Sequence, residues 1–216
     1  MSYIYEYPRP MITVDILLFR YEDSELEILL IERKKPPFKN QWAFPGGYVE
    51  IEERLLDAAG RELLEETGVQ VDFLFPLHYA DDPQRDPRGR TISFIFGGIL
   101  SPPFSEIRGG DDATRAAWHS LMNLPKLAFD HNNIVQRSEE QLKHELQNNF
   151  LIAAFLPLKF TLSDLEQLFQ KIYHHSNGCS EWLKKSLKNK IIEGINQNEF
   201  SRIKSAEVLY STPLIV

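Results

Sequence analysis

Three glutamates, Glu62, Glu65 and Glu66, crowd into five residues of the stretch WAFPGGYVEIEERLLDAAGRELLEETGV, residues 42–69. Carboxylates three or four apart on a helix repel by roughly 0.2–0.5 kcal/mol per pair, so a chain that keeps them must offset the charge. Hard divalent cations such as Mg²⁺ do so with oxygen ligands, and they share their coordination with substrate phosphates. At about 3.6 residues per turn the three carboxylates fall within an arc of about 100°. The apolar stripe of Leu55, Ala59 and Leu63 lies beside that arc, not across from it, which puts the acids at the border of a cleft. The competing reading is a surface helix in which Asp57, Arg61 and Glu65 form (i, i+4) ion pairs. The cluster alone leaves both open.

The flanking residues separate the two readings. Gly47, five residues, Glu53, seven residues, then Arg61-Glu62-Leu63-x-Glu65-Glu66-x-Gly68-Val69 make nine defined positions at fixed spacing. This pattern resembles the box of the Nudix hydrolases, and the resemblance extends over residues 10–150. It implies an α/β fold, a Nudix α/β/α sandwich with a mixed sheet, in which the box forms loop, helix and loop. It also implies hydrolysis of a nucleoside diphosphate linked to a second group. On that resemblance Gly46, Glu62, Glu65 and Glu66 hold Mg²⁺ or Mn²⁺, Gly46 through its carbonyl, where glycine lets the chain approach the ion. Glu53, Arg61, Glu65 and Glu66 form the catalytic set, with Glu53 and Arg61 orienting the metal-holding glutamates.

Two segments outside the box narrow the substrate. RDPRGRTIS, residues 85–93, offers Arg88 and Arg90 on a glycine-containing loop suited to bidentate phosphate contact. LPKLAFDHNNIV, residues 124–135, carries Asp130-His131 at a helix start. Together they resemble Nudix proteins that bind ADP-ribose or related sugar nucleotides. Arg33, leaving the second strand near the box, is a further phosphate candidate. Without the resemblance Arg88 and Arg90 read as loop charges, and His131 alone reads as a helix-end residue rather than a catalyst.

These groups need a scaffold, and the surrounding patterns supply one. MITVDILLFRYEDSELEILLIERK reads as two strands joined by a polar turn, and QWAFPGGYVE as a short strand entering a Pro-Gly-Gly turn. Residues 52–67 read as a helix on the spacing of Leu55, Leu56, Ala59 and Leu63. VDFLFPLHYA, TISFIFGGIL and AAWHSL read as strands, and DDPQRDPRGR as a loop. The segment from Asp130 to about Asn148 carries Val135, Leu142 and Leu146 on one helical face.

Past PLKF the pattern changes to short helices. Thr161 and Asp164 have the spacing of a capping box before LSDLEQLFQKIY, and NGCSEWLKKSLKNKII follows as a second helix. FSRIKSAEVLYSTPLIV reads as a β-hairpin. The expected division is 1–154 for the hydrolase domain and 155–216 for a small winged helix-turn-helix domain. Residues 155–216 resemble the tails of Nudix-related transcriptional regulators, which implies double-stranded DNA as a partner, with Lys184, Lys185 and Lys188 on the phosphates. Leu183, Leu187 and Ile191 are expected to face that domain's core. The simpler alternative is a lysine-bearing surface helix.

Composition bounds the rest. From Lys159 onward eight basic residues stand against six acidic ones, a net of +2, which leaves −9 of the total −7 on residues 1–158. Such a chain is not DNA-binding all over. One cysteine, Cys179, excludes an internal disulfide and fits a reducing cytoplasm. The apolar runs are too short to span a bilayer, so no membrane partner is expected. The expectation is a cytoplasmic homodimer, either an Mg²⁺-dependent hydrolase of ADP-ribose-like substrates or an ADP-ribose-sensing transcriptional regulator with weak or no hydrolysis.

Overall fold

The first two strands form the hub of the protein. In the computed structural model, which describes residues 6–110, 113–196 and 198–203, β1 (Met11–Glu22) returns as β2 (Glu25–Arg33) through Asp23 and Ser24. Both turn residues hold positive φ, 49° and 62°. That combination marks a type I′ turn, whose twist matches the strands it joins. Side chains alternate across the sheet. Val14, Ile16 and Leu18 pack on one face with the box helix α1 (Leu55–Thr67). Leu17 and Phe19 pack on the other, beneath α2 (His131–Asn148) and the C-terminal elements. The result is the expected sandwich of helix, sheet and helix.

The sheet is mixed and forked. β3 (Trp42–Ala43), β4 (Gly46–Tyr48), β5 (Leu74–Ala80), β6 (Thr91–Ile99) and β7 (Ala113–Ser120) complete its seven strands. β1 runs parallel to β6 and antiparallel to β2 and β4. β2 pairs with β1 only at Phe19–Glu22, whereas β4 pairs with β1 at Thr13–Asp15. The strands therefore part at one end, and the segment Trp42–Tyr48 fills the fork. Its turn places Gly46 so close to β1 that a Cβ there would overlap the Val14 carbonyl oxygen.

α1 begins at Leu55 rather than at residue 52. Glu50 and Glu53 close a separate turn first, with the Glu53 amide on the Glu50 carbonyl and the Glu50 amide on the Glu53 carboxylate, both at 3.2 Å. The helix ends on Gly68 at φ 70°, whose N–H donates to the Leu64 carbonyl. Leu56, expected on the packed face, is exposed, and Ala58 takes the interior.

The C-terminal unit is a helix–turn–helix pair on a small antiparallel sheet. β8 (Lys159–Thr161), α3 (Leu162–Tyr173), α4 (Cys179–Lys188), β9 (Ile192–Gly194) and β10 (Glu199–Arg202) follow in order, with β10 central in the sheet. The capping box is present. Thr161 Oγ1 accepts from the Asp164 amide at 3.2 Å, and Asp164 Oδ2 accepts from the Thr161 amide at 2.8 Å. Leu165, Phe169, Trp182 and Phe200 belong to the same buried cluster as Phe19 and Ile28, and the run Leu151–Leu156 is buried throughout.

One expectation is corrected here. Leu183 packs against the core and Ile191 is buried just past the helix end, as expected, but Leu187 is 39% exposed, and Cys179, Trp182 and Ser186 make the buried face of α4. The large Trp182 ring claims the interior, 6.0 Å from the Phe169 ring and 6.2 Å from Phe150, and turns the helix accordingly. The strand at Glu199–Arg202 pairs back onto β8 and β9, and residues 204–216 of the expected hairpin lie outside the described residues.

Candidate active site

Arg61 answers the question raised by the glutamate cluster. Its Nε and Nη2 each donate to a Glu53 carboxylate oxygen at 2.8 Å, a fork-to-fork pair. Nη1 donates to Glu62 at 2.8 Å and Glu65 at 3.2 Å, and Nη2 also reaches the Tyr48 carbonyl at 3.1 Å. One guanidinium thus sits among three carboxylates and offsets their repulsion. Its own pKa is driven up, chiefly by the bond to Glu53, and Glu53 is drawn down in return.

The three clustered glutamates occupy different surroundings. Glu66 is 7% exposed, and its Oε2 accepts from the Gly46 amide at 2.8 Å. Glu65 lies toward solvent. Glu62 is partly buried against Gly47, where a Cβ would overlap its carboxylate; burial pushes its pKa up, and Arg61 pulls it back. Among the described residues no three acidic, histidine or cysteine side chains are gathered as a metal cage. The donor chemistry nonetheless suits a hard divalent ion: three carboxylates on one helix, beside a glycine turn whose carbonyl is a fourth oxygen. A desolvated carboxylate such as Glu62 also has use for a cation.

A small cleft opens next to the box, floored by Asp15 and walled by Arg33, Arg88, Gly46, Gly47 and Phe129. Arg33 and Arg88 flank the Phe129 ring, 4.8 and 5.5 Å from its centroid. Arg33 is held by the Pro37 carbonyl at 2.9 Å, and burial with the nearby Arg88 charge lowers its pKa. Arg88 pairs with Asp86, Nη2 to Oδ2 at 2.7 Å, and its own amide caps the same carboxylate. Arg90 does not join them: it is exposed and its Nη1 bonds the Asp81 carbonyl. The loop turns at Gly89, φ 148°, and sends the third arginine outward.

The arginine that does turn inward is Arg85. Its side chain is buried, with Nη2 2.9 Å from Asp130 Oδ1 and 3.5 Å from Asp15 Oδ2. Ser93 Oγ donates to Asp15 at 2.5 Å. His131 stands at the first turn of α2, as a helix-end residue, and is 2% exposed. Its Nδ1 accepts the Phe44 amide at 3.0 Å, which assigns the proton to Nε2, 3.7 Å from Asp15 Oδ1. Burial lowers its pKa and keeps it neutral. Sequence reasoning missed Asp15 and Arg85. A lone aspartate inside the apolar run ITVDILLF was the available signal; nothing distinguished Arg85 from its neighbours.

A NUDIX domain model matches residues 9–138. The chain belongs to the Nudix family. Beyond the domain itself, this Nudix protein is 28% identical to the "ADPR responsive transcriptional repressor NtrR" of Acinetobacter baylyi, over 94% of this chain and 82% of that one. It is 43% identical to an ADP-ribose pyrophosphatase of Methanocaldococcus jannaschii over 60% of this chain and 73% of that one. Among solved structures, a MutT/nudix family protein from Enterococcus faecalis superposes with a TM-score of 0.79 at 26% identity, covering 93% of this chain and 89% of the other. No helix among the described residues is long and apolar enough to cross a membrane.

Proposed function

We propose that this Nudix protein is a Mg²⁺- or Mn²⁺-dependent hydrolase that splits the pyrophosphate of ADP-ribose or a related nucleoside diphosphate sugar. The observation that carries the reading is the intact box, its carboxylates assembled around Arg61 beside a cleft walled by two arginines. Glu62, Glu65, Glu66 and the Gly46 carbonyl are the groups that would hold the ion, which supplies charge neutralisation and polarises the attacked phosphorus. The chain's own residues do the rest. The Gly46 amide fixes the buried Glu66. Arg61, anchored by Glu53 and Tyr48, sets Glu62 and Glu65. Arg33 and Arg88 meet the phosphates, Arg88 exchanging Asp86 for substrate oxygen, and Phe129 gives both a flat surface to move across. Water adds to one phosphorus and the bridging oxygen leaves, giving AMP and ribose 5-phosphate from ADP-ribose.

The second reading is an ADP-ribose-sensing regulator with weak or no hydrolysis, and the C-terminal helix–turn–helix unit favours it as a partner role. We take residues 155–216 as a winged-helix DNA-binding domain. Lys184, Lys185 and Lys188 are all exposed on α4, where they can meet phosphates. The likeness to a repressor along 94% of the chain supports this. A homodimer suits such a reader, because paired half-sites mirror two-fold symmetry. The buried Cys179 thiol, raised to about 11 by burial, is inert and fits a cytoplasmic setting. Purified protein incubated with Mg²⁺ and ADP-ribose, NADH, sugar nucleotides or oxidised nucleotides tests the hydrolase by chromatography of products. Gel shifts on upstream DNA with and without ADP-ribose test the regulator. AMP from ADP-ribose supports the first reading; a ligand-dependent shift with no turnover supports the second instead.

A further inference from the structure

A larger cleft than that at the box lies where the sheet meets the C-terminal unit, and it encloses about 440 Å³. Small-molecule sites run from about 300 to 1,000 Å³. Asp72 and Phe73 line it from the segment before β5, Phe75 from β5, Ser101 from the loop after β6, and Leu158 and Arg202 from the C-terminal unit. Arg202, the last residue of β10, donates from Nη1 to Ser101 Oγ at 3.0 Å, and that hydroxyl donates to the Ala154 carbonyl at 2.7 Å. Among the described residues no carboxylate oxygen comes within 4.0 Å of this guanidinium. Burial pulls its pKa down, and Asp72, acting from farther off, pulls the other way. A guanidinium has five donors, and one hydroxyl satisfies only the first of them. A partly buried arginine with one hydroxyl partner and no carboxylate in contact keeps donors free for an anion.

We propose that this junction cleft binds a small organic anion, its carboxylate or phosphate-ester head on Arg202 and its apolar body against Phe73, Phe75 and Leu158. The site is separate from the diphosphate cleft and does not depend on hydrolysis there. Its walls come from both parts of the chain, so an occupant bridges the sheet and the helix–turn–helix unit.

The full-length protein, titrated at low salt with benzoate, phenyl phosphate and neutral benzyl alcohol, tests this by calorimetry and thermal shift. At least one anion binds saturably, and the stronger of the two identifies the head group; benzyl alcohol does not bind. Arg202→Met weakens the anion at least tenfold, the usual scale for a charged hydrogen-bonding partner. Asp72→Asn, which removes the one opposing charge, tightens it several-fold. Arg88→Ala, in the other cleft, leaves it unchanged. Ligand-free Arg202→Met melts close to the parent, since methionine replaces the apolar stem and only the hydrogen bond to Ser101 is lost; should that variant unfold, Asp72→Asn alone decides. Failure of both anions to bind overturns the proposal. So does binding that survives Arg202→Met and disappears in Arg88→Ala, equal affinity for benzyl alcohol, or an Asp72→Asn variant that binds no better than the parent.

Discussion

Arg61 and Glu53 meet as two parallel forks, each of the two N–H···O contacts 2.8 Å long, across eight residues of chain. Glu53 comes from the turn before α1 and Arg61 from its second turn, so the pair pins the start of the box to its helix. The same guanidinium extends to Glu62 and Glu65. Glu53→Gln halves the fork and frees Arg61 to settle on the metal-holding glutamates. Turnover and Mn²⁺ affinity are expected to fall about 10- to 100-fold while the fold survives. Kinetics paired with circular dichroism checks this, and unchanged metal affinity would remove Glu53 from the positioning role.

Gly46 and Gly47 separate stability from chemistry. A methyl on Gly46 runs into the β1 backbone at Val14, so Gly46→Ala is expected to destabilise the protein by about 1–3 kcal/mol. The atoms nearest a methyl on Gly47 are the flexible end of Glu62. Gly47→Ala should melt near the parent temperature yet bind Mn²⁺ at least about tenfold more weakly. Equal losses of stability in both variants would contradict the contrast.

His131 ties stability to pH. It is buried and neutral, with its pKa lowered, and its Nδ1 is occupied as an acceptor. Unfolded, it titrates near 6.5. Below that pH the unfolded chain takes up a proton the folded chain refuses. Stability from this residue therefore falls as pH falls, by about 1.4 kcal/mol per unit, until the lowered folded value is reached. His131→Asn keeps an acceptor for Phe44 but cannot titrate. Urea denaturation between pH 7 and 5 should show a shallower decline for the variant; parallel curves would mean His131 is protonated in the fold.

The lysines of α4 predict a salt signature. Replacing Lys184 or Lys188 by alanine should weaken DNA binding alike on specific and unrelated sequences. Each loss should lower the slope of log affinity against log salt by about one. Lys185 is expected to contribute less, because it already pairs with Glu181 at 2.8 Å. ADP-ribose turnover should not change in any of them. Filter binding across a salt series measures the slopes, and a flat response in all three would return these lysines to a solvated helix face.

Much of the scaffold was legible because it rests on local rules. Apolar, β-rich runs on either side of a polar turn gave away β1 and β2, the Thr161–Asp164 spacing announced α3, and the box placed Arg61 on its glutamates. What stayed hidden depends on how distant segments meet. Whether Arg85, Arg88 or Arg90 turns inward is set by the loop's course through Gly89 and by Asp130 on another element. Leucine spacing places Leu183 correctly on α4 but not Leu187, because the Trp182 ring, which finds Phe150 and Phe169 only once the chain has folded, takes the interior. The junction cleft at Arg202 joins residues from four separate stretches, and no short pattern carries it.

The most direct measurement is Mg²⁺-dependent turnover of ADP-ribose by the parent and by Glu66→Gln, with both confirmed folded. Glu66 is the buried carboxylate fixed by the Gly46 amide, so its neutral analogue should fit the same space without gripping a cation. The parent should release AMP only when metal is supplied, and the variant should do so at least about a hundredfold more slowly. Equal rates in parent and variant, or turnover undiminished by a chelator, would contradict a carboxylate-held ion acting on a diphosphate.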